Sequence, residues 1–481
     1  MMSLSIFFIF FMLNCTREII NLKNKDRLID KIVLEVLILK QVKKWTVSFI
    51  IAVLFLSTLS TVLPYQANAA EKDELGLNAG AAILVDANTG EILYEKNTDE
   101  LLGVASMSKM MTEYIVLESI KNGKISWDQK VKINNYIHRL SGAPELSNVG
   151  LTEGEEYTVK ELYEAMAIHS GNAATVALAE LIAGTEKNYI SVMNKKAEEL
   201  GLKDFEFVNS SGLNNSDLLG NIPAGTEKDE NKMSAKAVAK LAYRLINDFP
   251  EILETSGMPS LKFRDGREYK NFNWLIPSLI YGYEGVDGLK TGSTDYAKFN
   301  VTATAKKGDH RYIVVIMKSE TKNSRFAEAR KVLDFAFNNF STEEVLPANY
   351  VDAKNKTIDV IKGKEDKVSI GTKDAVNLVI KNNEKENYVA KVVLDEKKLN
   401  KDGELTAPIK KGDKVGYVTV QTKDGKDVPF LTNDGKEKAQ VDLVANETVE
   451  KANWFVLAMR GIGSFFANVW GSVSDTVKGW F

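Results

Sequence analysis

The sequence predicts an α/β domain built around an antiparallel sheet, then an all-β sandwich-like domain, and finally a C-terminal amphipathic helix. Strand-like stretches at 79–96 and 285–320 flank a helical middle, an order typical of a sheet that joins both ends of a domain. Beyond residue 346, short alternating strands recur at a spacing of roughly ten residues, which is typical of a sandwich. The final segment repeats apolar side chains at steps of three and four.

The length and composition agree with this division and exclude several classes of function. The chain has 481 residues, too many for one ordinary domain. Its formal net charge of -3 argues against nucleic acid as a partner, because such proteins carry a basic excess. One cysteine and three scattered histidines do not suit a zinc site, and we expect no cofactor. The predicted parts are a leader (1–69), the α/β domain (70–345), the β-rich domain (346–446) and the terminal helix (447–481).

The leader has the layout of an export signal. Three lysines precede an uncharged, mostly apolar run at 45–63, and the sequence YQANAA follows. Ala67 and Ala69 fit the small-residue cleavage rule, so we expect cleavage after Ala69 and export of the protein. A retained transmembrane anchor is the alternative. Since residues 1–38 are long for a signal peptide and contain acidic side chains, we expect translation to start near Leu39.

The elements of the α/β domain follow in order. Residues 79–96 predict a β-hairpin around a turn at 86–90. Residues 104–123 show helical periodicity that ends at Gly123, and Ser106 lies near the helix start, where developing negative charge is favoured. The remaining predicted elements are helices at 158–184 (interrupted at 169–172), 186–200, 234–250 and 324–340, and strands at 285–295, 297–308 and 311–320.

The β-rich domain contains no cluster of catalytic residue types, which predicts a stalk or spacer. Its predicted strands cover 356–363, 377–382, 388–395, 414–421 and 440–446. The terminal helix carries many aromatic side chains, so we expect an anchor that lies in a membrane interface. Its glycines and Arg460 argue against a bilayer-spanning helix. The alternative is a helix that packs on the sandwich or on a second subunit.

Three short motifs with possible catalytic residues occur along the α/β domain. Ser106–Lys109 has the pattern Ser-x-x-Lys at a helix start, Ser170–Asn172 interrupts helical sequence, and Lys290–Gly292 opens a strand. A second Ser-x-x-Lys, at Ser319–Lys322, follows a strand end and is predicted to be a loop. Each motif alone is weak, but the three in this order and context indicate acyl transfer by an activated serine.

Lys109 is the candidate base for Ser106. A serine hydroxyl is a poor nucleophile at neutral pH and needs a base within hydrogen-bond reach. Lys109 lies one helical turn further on and projects from the same face. It can act as a base only if its pKa falls well below about 10.4. Burial and a second nearby cation both lower the pKa of a lysine.

The chain resembles the low-molecular-mass penicillin-binding proteins, serine-type D-Ala-D-Ala carboxypeptidases of the penicillin-binding protein 5 type. The resemblance rests on the three motifs, on LTAPIKKGDKVG at 405–416 and on the terminal helix, and it covers nearly all of the sequence after the leader. It implies a penicillin-recognising serine transferase fold, a β-rich domain and anchorage to the outer face of the cytoplasmic membrane. The implied activity removes the terminal D-alanine from peptidoglycan stem pentapeptides through a serine acyl-enzyme that β-lactams block covalently.

The resemblance implies catalytic roles for Ser106, Lys109 and Ser170, and it places Asn172 and Lys290 among the substrate-binding residues. Ser106 is the implied nucleophile and Lys109 its base, with Lys290 as the second cation. Ser170 is implied to pass a proton toward the leaving D-alanine. Asn172 is implied to hold a substrate amide and the side chain of Lys109.

The remaining implied residues bind substrate. The free carboxylate of the substrate needs cationic or hydroxyl partners, and Thr291 and Arg325 match the family positions for them. Gly292 completes the third motif. The backbone amides of Ser106 and Ser293 are the implied oxyanion hole, since two N–H donors must face the tetrahedral oxygen. The alternative for Arg325 is an ordinary solvated surface charge.

Two other functions stay open from the sequence. A serine β-lactamase uses the same motifs, but the Glu-x-x-Leu-Asn element of class A enzymes is absent between 173 and 289. A non-catalytic, membrane-tethered wall-binding protein should have lost at least one of the motif residues. Nearby, we interpret His169 as a packed or hydrogen-bonded neighbour. Glu161, Tyr163 and Glu164 are interpreted as a solvated and partly packed helix face.

Overall fold

The computed structural model describes residues 40, 43, 73–460 and 462. The predicted cleavage site after Ala69, nearly all of the leader and most of the terminal helix lie outside these residues. The chain forms two compact units, 1–72 and 73–481, and the account below concerns the second. Within the described part of the chain, no helix is long and apolar enough to cross a membrane.

The first domain contains a large antiparallel sheet and most of the helices. Its helices are α1 (Lys109–Lys121), α2 (Asn135–Ser141), α3 (Val159–His169), α4 (Asn172–Ala183), α5 (Glu186–Glu199), α6 (Ala235–Asp248), α7 (Ile252–Ser256) and α8 (Ser324–Asn339). Its strands are β1 (Ala81–Asp86), β2 (Ile92–Lys96), β3 (Leu102–Gly103), β4 (Lys130–Lys132), β5 (Glu156–Thr158), β6 (Phe205–Glu206), β7 (Lys232–Met233), β8 (Ser260–Lys262), β9 (Glu268–Lys270), β10 (Val286–Thr294), β11 (Lys298–Lys307) and β12 (His310–Ser319).

The main sheet has the strand order β10-β11-β12-β1-β2, and every neighbouring pair is antiparallel. Because β1 pairs with β12, the sheet joins the two ends of the domain, which confirms the predicted α/β domain with an antiparallel sheet. The predicted hairpin, the three C-terminal strands and the interrupted helix at 158–184 are also confirmed. Strand β10 lies at one edge of the sheet.

Helices cover both faces of this sheet. Successive side chains of a strand point to opposite faces, and on β1 they enter two different apolar cores. Ile83 and Val85 belong to the larger core, which includes residues of α1, α3, α4 and α6. Ala82 and Leu84 belong to the core shared with α8. Burial on both faces explains why β1 is a continuous apolar run, with all six residues buried.

The second domain is β-rich and packs two sheets around one core. Its elements are β13 (Phe340–Leu346), β14 (Thr357–Ile361), β15 (Lys367–Thr372), β16 (Val376–Lys381), β17 (Tyr388–Leu394), β18 (Leu405–Thr406), β19 (Lys414–Thr422), α9 (Asn433–Lys438) and β20 (Val441–Ala445). Strands β13 and β16 form one sheet, and the other has the order β17-β19-β20-β15-β14-β18. Both sheets contribute to the same apolar core, as the predicted sandwich-like domain requires.

The sequence analysis did not identify β13, β15, β18 or α9. Strand β15 is framed by charged turns, and its pairing with β20 brings together residues distant in sequence. Strand β13 begins directly after α8 and pairs with β16. The predicted boundary between residues 345 and 346 therefore lies near the end of a strand, and the domain bounds stay a prediction.

The turn between β1 and β2 is one place where the two domains are in contact. Ile92 donates a backbone hydrogen bond to Pro429, and Leu431 donates one to Gly90. Beside them the carboxyl of Glu91 is buried, and its Oε2 accepts a hydrogen bond from the backbone of Val379 at 3.2 Å. Burial raises the pKa of Glu91 from 4.5 to about 8, although the hydrogen bond from Val379 opposes the shift.

We expect Glu91→Gln to stabilise the protein at alkaline pH and to have little effect near pH 4. The folded protein holds a proton on Glu91 where the unfolded chain has released it. Stability from this group is therefore full below pH 4.5 and is lost as the pH rises towards 8, by at most about 1.4 kcal/mol per pH unit. Urea unfolding midpoints across this range measure the effect. The exposed Glu365→Gln is the control, and an equal shift at all pH values would contradict the prediction.

Candidate active site

Ser106 lies in a short 3-10 helix, Ala105–Ser108, that leads directly into α1. Ala105 has φ +48°, a left-handed conformation that is strained for a residue with a Cβ atom. The hydroxyl of Ser108 donates a hydrogen bond to the carbonyl of Ala105 at 2.7 Å. Local backbone strain and a buried side-chain hydrogen bond thus fix the turn that carries Ser106.

Two glycines allow other segments to press directly against this turn. A Cβ atom at Gly212, which has φ +79°, would lie 1.9 Å from the carbonyl oxygen of Ala105. A Cβ atom at Gly292 would lie 2.4 Å from the carbonyl oxygen of Val104. Both distances are far below van der Waals contact, so no larger residue fits without displacing the backbone. The loop at 209–215 and strand β10 therefore both pack directly against the backbone of the turn.

Lys109 is fully buried, and its ammonium or amine nitrogen has three polar neighbours. Its Nζ donates to Oδ1 of Asn172 at 2.7 Å and to the carbonyl oxygen of Ser211 at 2.6 Å. The third neighbour is Oγ of Ser106, at 2.9 Å. The orientation of the Asn172 amide is defined because its Nδ2 donates to the carbonyl oxygen of Ser147 at 2.9 Å.

The environment lowers the pKa of Lys109 well below 10.5, first through burial and second through the charge of Lys290. The charge of Glu113 opposes this shift. Lys290 is itself buried, and its pKa is lowered to about 8 by burial, with a further contribution from Arg325. These are the two causes that the sequence analysis required for a lysine base.

Ser170 and Asn172 lie at the junction of α3 and α4, and Asn172 contacts Lys109. Ser170 caps the C-terminus of α3 in a left-handed conformation, with φ +59°. Its side chain is buried, and its Oγ has no hydrogen-bond partner among the described residues. An unpaired buried hydroxyl costs free energy, and this one lies at the junction of α3 and α4, two residues before Asn172.

The Lys-Thr-Gly motif lies on strand β10, which runs next to the turn of Ser106. A Cβ atom at Gly292 would lie 3.0 Å from the backbone nitrogen of Ser106, so the two backbones are in direct contact. Thr291 is buried and Ser293 is exposed. The structure thus brings the three motifs together, and the role of each residue stays a prediction.

Arg325, at the start of α8, is buried against the same strand and is not a solvated surface charge. Its Nη1 donates to the carbonyl oxygens of Gly292 and Asn300, both at 3.2 Å. Its guanidinium also lies over the ring of Phe326, 4.6 Å from the centroid. Its Nε has no partner among the described residues. Arg325 thus adds a buried positive charge directly behind the Lys-Thr-Gly motif.

Three residues at the site were not identified from the sequence. Ser211 accepts a hydrogen bond from Lys109 through its backbone, which no side-chain pattern reveals. Gly212 was part of a predicted loop, VNSSGLNNSD, without a role. Glu113 is buried one helical turn after Lys109. A charged residue on the apolar face of a predicted helix was the available signal for Glu113.

His169 and Tyr163, both on α3, make different packing contacts. His169 accepts or donates through Nδ1 with the carbonyl of Lys270 at 2.8 Å and stacks on Phe272, which confirms a packed, hydrogen-bonded histidine. Tyr163 is buried and forms the packed part of the helix face that it shares with Glu161 and Glu164, which are both partly exposed. It packs edge-on against Trp127, with ring centroids 5.1 Å apart, because α3 faces the core on that side.

The second Ser-x-x-Lys pattern has no such surroundings. Ser319 is the last residue of β12, and its Oγ has no hydrogen-bond partner among the described residues. Lys322 lies in the following turn, with its Nζ 4.2 Å from the centroid of the Trp274 ring. The pair does not form a hydroxyl–amine contact, which agrees with the predicted loop.

Comparisons with known proteins cover both domains. Residues 66–321 match the family model of D-alanyl-D-alanine carboxypeptidases, peptidase S11. Residues 340–451 match the model of the C-terminal domain of penicillin-binding protein 5. The first match contains all three motifs and does not reach Arg325.

Curated relatives and solved structures agree with these matches. The chain is 37% identical to the D-alanyl-D-alanine carboxypeptidase DacF of Bacillus subtilis over 322 residues, 66% of this chain and 77% of the relative. It is 32% identical to DacC of Escherichia coli, over 67% of this chain and 76% of the relative. Penicillin binding protein 5 from Haemophilus influenzae superimposes with a TM-score of 0.60 at 29% identity, covering 78% of this chain and 98% of that chain.

A peptidoglycan synthesis regulatory factor (PBP3) from Streptococcus pneumoniae superimposes with a TM-score of 0.61 at 31% identity, over 77% of this chain and 99% of that chain. These findings confirm the fold and the carboxypeptidase function predicted from the three motifs and favour them over a β-lactamase or a non-catalytic wall-binding protein. The chain belongs to the D-alanyl-D-alanine carboxypeptidase family of serine peptidases, with penicillin-binding proteins among its relatives.

Proposed function

We propose that this carboxypeptidase removes the terminal D-alanine from peptidoglycan stem pentapeptides through an acyl-enzyme on Ser106. Ser106 Oγ attacks the carbonyl carbon of the penultimate D-alanine while Lys109 accepts the hydroxyl proton. Ser170 passes a proton to the nitrogen of the leaving D-alanine. Water then hydrolyses the acyl-enzyme ester, which releases the shortened peptide and restores the hydroxyl. The same attack on a β-lactam ring produces a covalent adduct.

The observation that carries this proposal is the set of contacts around Lys109. A neutral amine has two N–H donors and one lone pair. The oxygens of Asn172 and Ser211 can only accept, so they take both donors. The lone pair is then left for the third neighbour, the hydroxyl of Ser106 at 2.9 Å. Burial and the charge of Lys290 favour this neutral form.

The buried positive charges support recognition of a substrate that ends in a free carboxylate. Lys290 lies on β10 and Arg325 packs against the same strand, which also carries the hydroxyl of Thr291. Arg325 Nε and Ser170 Oγ are both buried without a partner among the described residues. Groups of this kind gain hydrogen bonds when a polar substrate enters. The contact between Gly292 and the amide of Ser106 supports an oxyanion hole at the Ser106 and Ser293 amides.

The proposal includes export and attachment to the outer face of the cytoplasmic membrane through the terminal helix. At the start of this helix, Trp454 is 79% exposed and Phe455 59% exposed. Arg460 instead bonds to the second domain, through the carbonyl of Gly363 and through Asp366 at 2.7 Å. An interfacial anchor needs apolar side chains that are exposed, as Trp454 and Phe455 are. The bonds of Arg460 connect the start of the helix to the second domain.

We expect labelled penicillin to form a covalent adduct on the Ser106 peptide, detected by mass spectrometry. Ser106→Ala should form no adduct and should lower kcat for a pentapeptide by more than about 10³-fold, because the nucleophile is absent. Ser319→Ala, from the second Ser-x-x-Lys pattern, is the matched control and should label normally. A native protein that forms no adduct would refute the mechanism. Rapid release of hydrolysed penicillin would instead indicate a β-lactamase.

We expect Lys290→Gln to move the acid limb of the acylation pH profile to higher pH, by about one unit. Lys290 lowers the pKa of Lys109, so loss of its charge makes Lys109 hold its proton longer. Lys290→Arg keeps the charge and should leave the limb in place. If the variant also binds substrate more weakly, the maximal acylation rate falls. The pH at which the acid limb lies does not depend on that rate. An unchanged limb in Lys290→Gln would exclude Lys109 as the titrating base.

We expect the protein with its terminal helix to sediment with anionic phosphatidylglycerol vesicles. A chain that ends at Asn453 should stay in the supernatant and keep its carboxypeptidase activity, because the catalytic residues lie in the first domain. Trp454→Ser with Phe455→Ser in the longer chain should weaken sedimentation. If the longer chain also stays in the supernatant, the helix is not an anchor.

A further inference from the structure

Glu113 carries a buried carboxyl that the mechanism above does not use. It lies on α1, one helical turn after Lys109, and is only 2% exposed. Its Oε1 accepts no hydrogen bond from the described residues. It interacts through charge with both Lys109 and Lys290. A carboxyl in this position is costly, because burial of a charge without hydrogen bonds disfavours the folded state.

The groups that face Glu113 come from three elements. Lys109 is on the same helix, Lys290 is on β10, and Tyr163 is on α3. The phenol of Tyr163 is buried without a hydrogen-bond partner among the described residues, and burial raises its pKa well above 10. Tyr163 is therefore a neutral neighbour. Arg325 acts on this group only through Lys290, whose pKa it helps to lower.

The two lysines have opposite requirements in the same dry interior. Lys109 must be neutral to accept a proton, whereas Lys290 must be charged to lower the pKa of Lys109 and to attract a carboxylate. Burial opposes the charge on both. With Lys109 neutral and Lys290 protonated, the pair carries one positive charge, and one nearby negative charge is sufficient to balance it. Glu113 is the carboxyl that interacts with both.

We infer that Glu113 is a positioning residue whose carboxylate offsets the charge of Lys290 inside the protein, so that Lys290 stays protonated beside a neutral Lys109. This inference rests on the proposed function, because it takes the two lysines in the roles given there. A purely structural role does not explain the residue. The buried positions around it on α1 include Met110, Met111 and Val116, and an apolar side chain of similar size would bury without a desolvation penalty.

The test is the pH profile of acylation by labelled penicillin, measured for the native protein and Glu113→Gln. Loss of the negative charge lowers the pKa of both lysines. Burial raises the pKa of Glu113 from 4.5 to about 7, against the charges of Lys290 and Lys109, so its carboxylate is present at the alkaline limb. That limb, set by Lys290, should therefore move to lower pH by about one unit. At alkaline pH the variant should acylate roughly tenfold more slowly than the native protein, since one unit of pKa corresponds to that factor.

Three further variants make the result specific. Glu113→Asp keeps the charge and should restore the native alkaline limb. Glu113→Met is neutral and suits a buried position, so it must shift this limb like Glu113→Gln and replaces it if the glutamine variant does not fold. Glu118→Gln, on the same helix and paired with Lys196 at 2.8 Å, is the control and should leave the profile unchanged.

The outcomes separate this inference from the proposed function. If the native protein forms no adduct on Ser106 at any pH, the proposed function fails. If the native protein acylates with two limbs and the neutral variants keep the alkaline limb in place, the charge role of Glu113 is overturned while the mechanism stands. A loss of amplitude without a shift also overturns it, because packing damage lowers the rate and leaves the pKa values of the lysines unchanged.

Discussion

The site depends on keeping the side-chain nitrogen of Lys109 dry while giving it a complete set of hydrogen-bond partners. A buried lysine without partners is severely destabilising, and a hydrated lysine at neutral pH is protonated and cannot act as a base. The protein meets both conditions by taking one oxygen from Asn172 and one from the backbone of Ser211. The remaining contact is the hydroxyl of Ser106. The geometry of the base therefore also orients the nucleophile.

This arrangement requires segments that are far apart in sequence to meet within a few ångströms. The contact from Lys109 to Asn172 spans 63 residues, and the contact to Ser211 spans 102. Gly212 and Gly292 permit the close approach, since a side chain at either position would collide with the turn of Ser106. The main sheet holds β10 in place, because β10 pairs along its length with β11. The pairing within the sheet thus fixes the position of β10 relative to the turn of Ser106.

The sequence predicted the elements whose side chains show periodicity and the motifs whose residues act through side chains. The β1–β2 hairpin, α1 and the strands β10 to β12 were of this kind, as were Ser106, Lys109 and Lys290. It did not predict the backbone acceptor of Ser211, because a carbonyl is common to every residue. It did not identify β15, whose burial arises from pairing with β20 about 70 residues later. The burial of Arg325 and Tyr163 likewise follows from the packing of whole elements, which local patterns do not contain.

The polar atoms at the site separate into two groups, and this separation indicates where a substrate binds. Behind the nucleophile, Lys109 and Asn172 have partners for every hydrogen-bonding direction discussed above, which stabilises a single arrangement. Ser170 Oγ and Arg325 Nε, in contrast, lack partners among the described residues. Natural interiors seldom leave buried polar atoms unpaired, and the exceptions concentrate where a ligand completes the network. A peptide terminus with an amide and a carboxylate offers an acceptor and a charge to match these two atoms. In the proposed mechanism, the fold therefore stabilises Lys109 before substrate arrives, and the substrate completes the hydrogen bonding of Ser170 and Arg325.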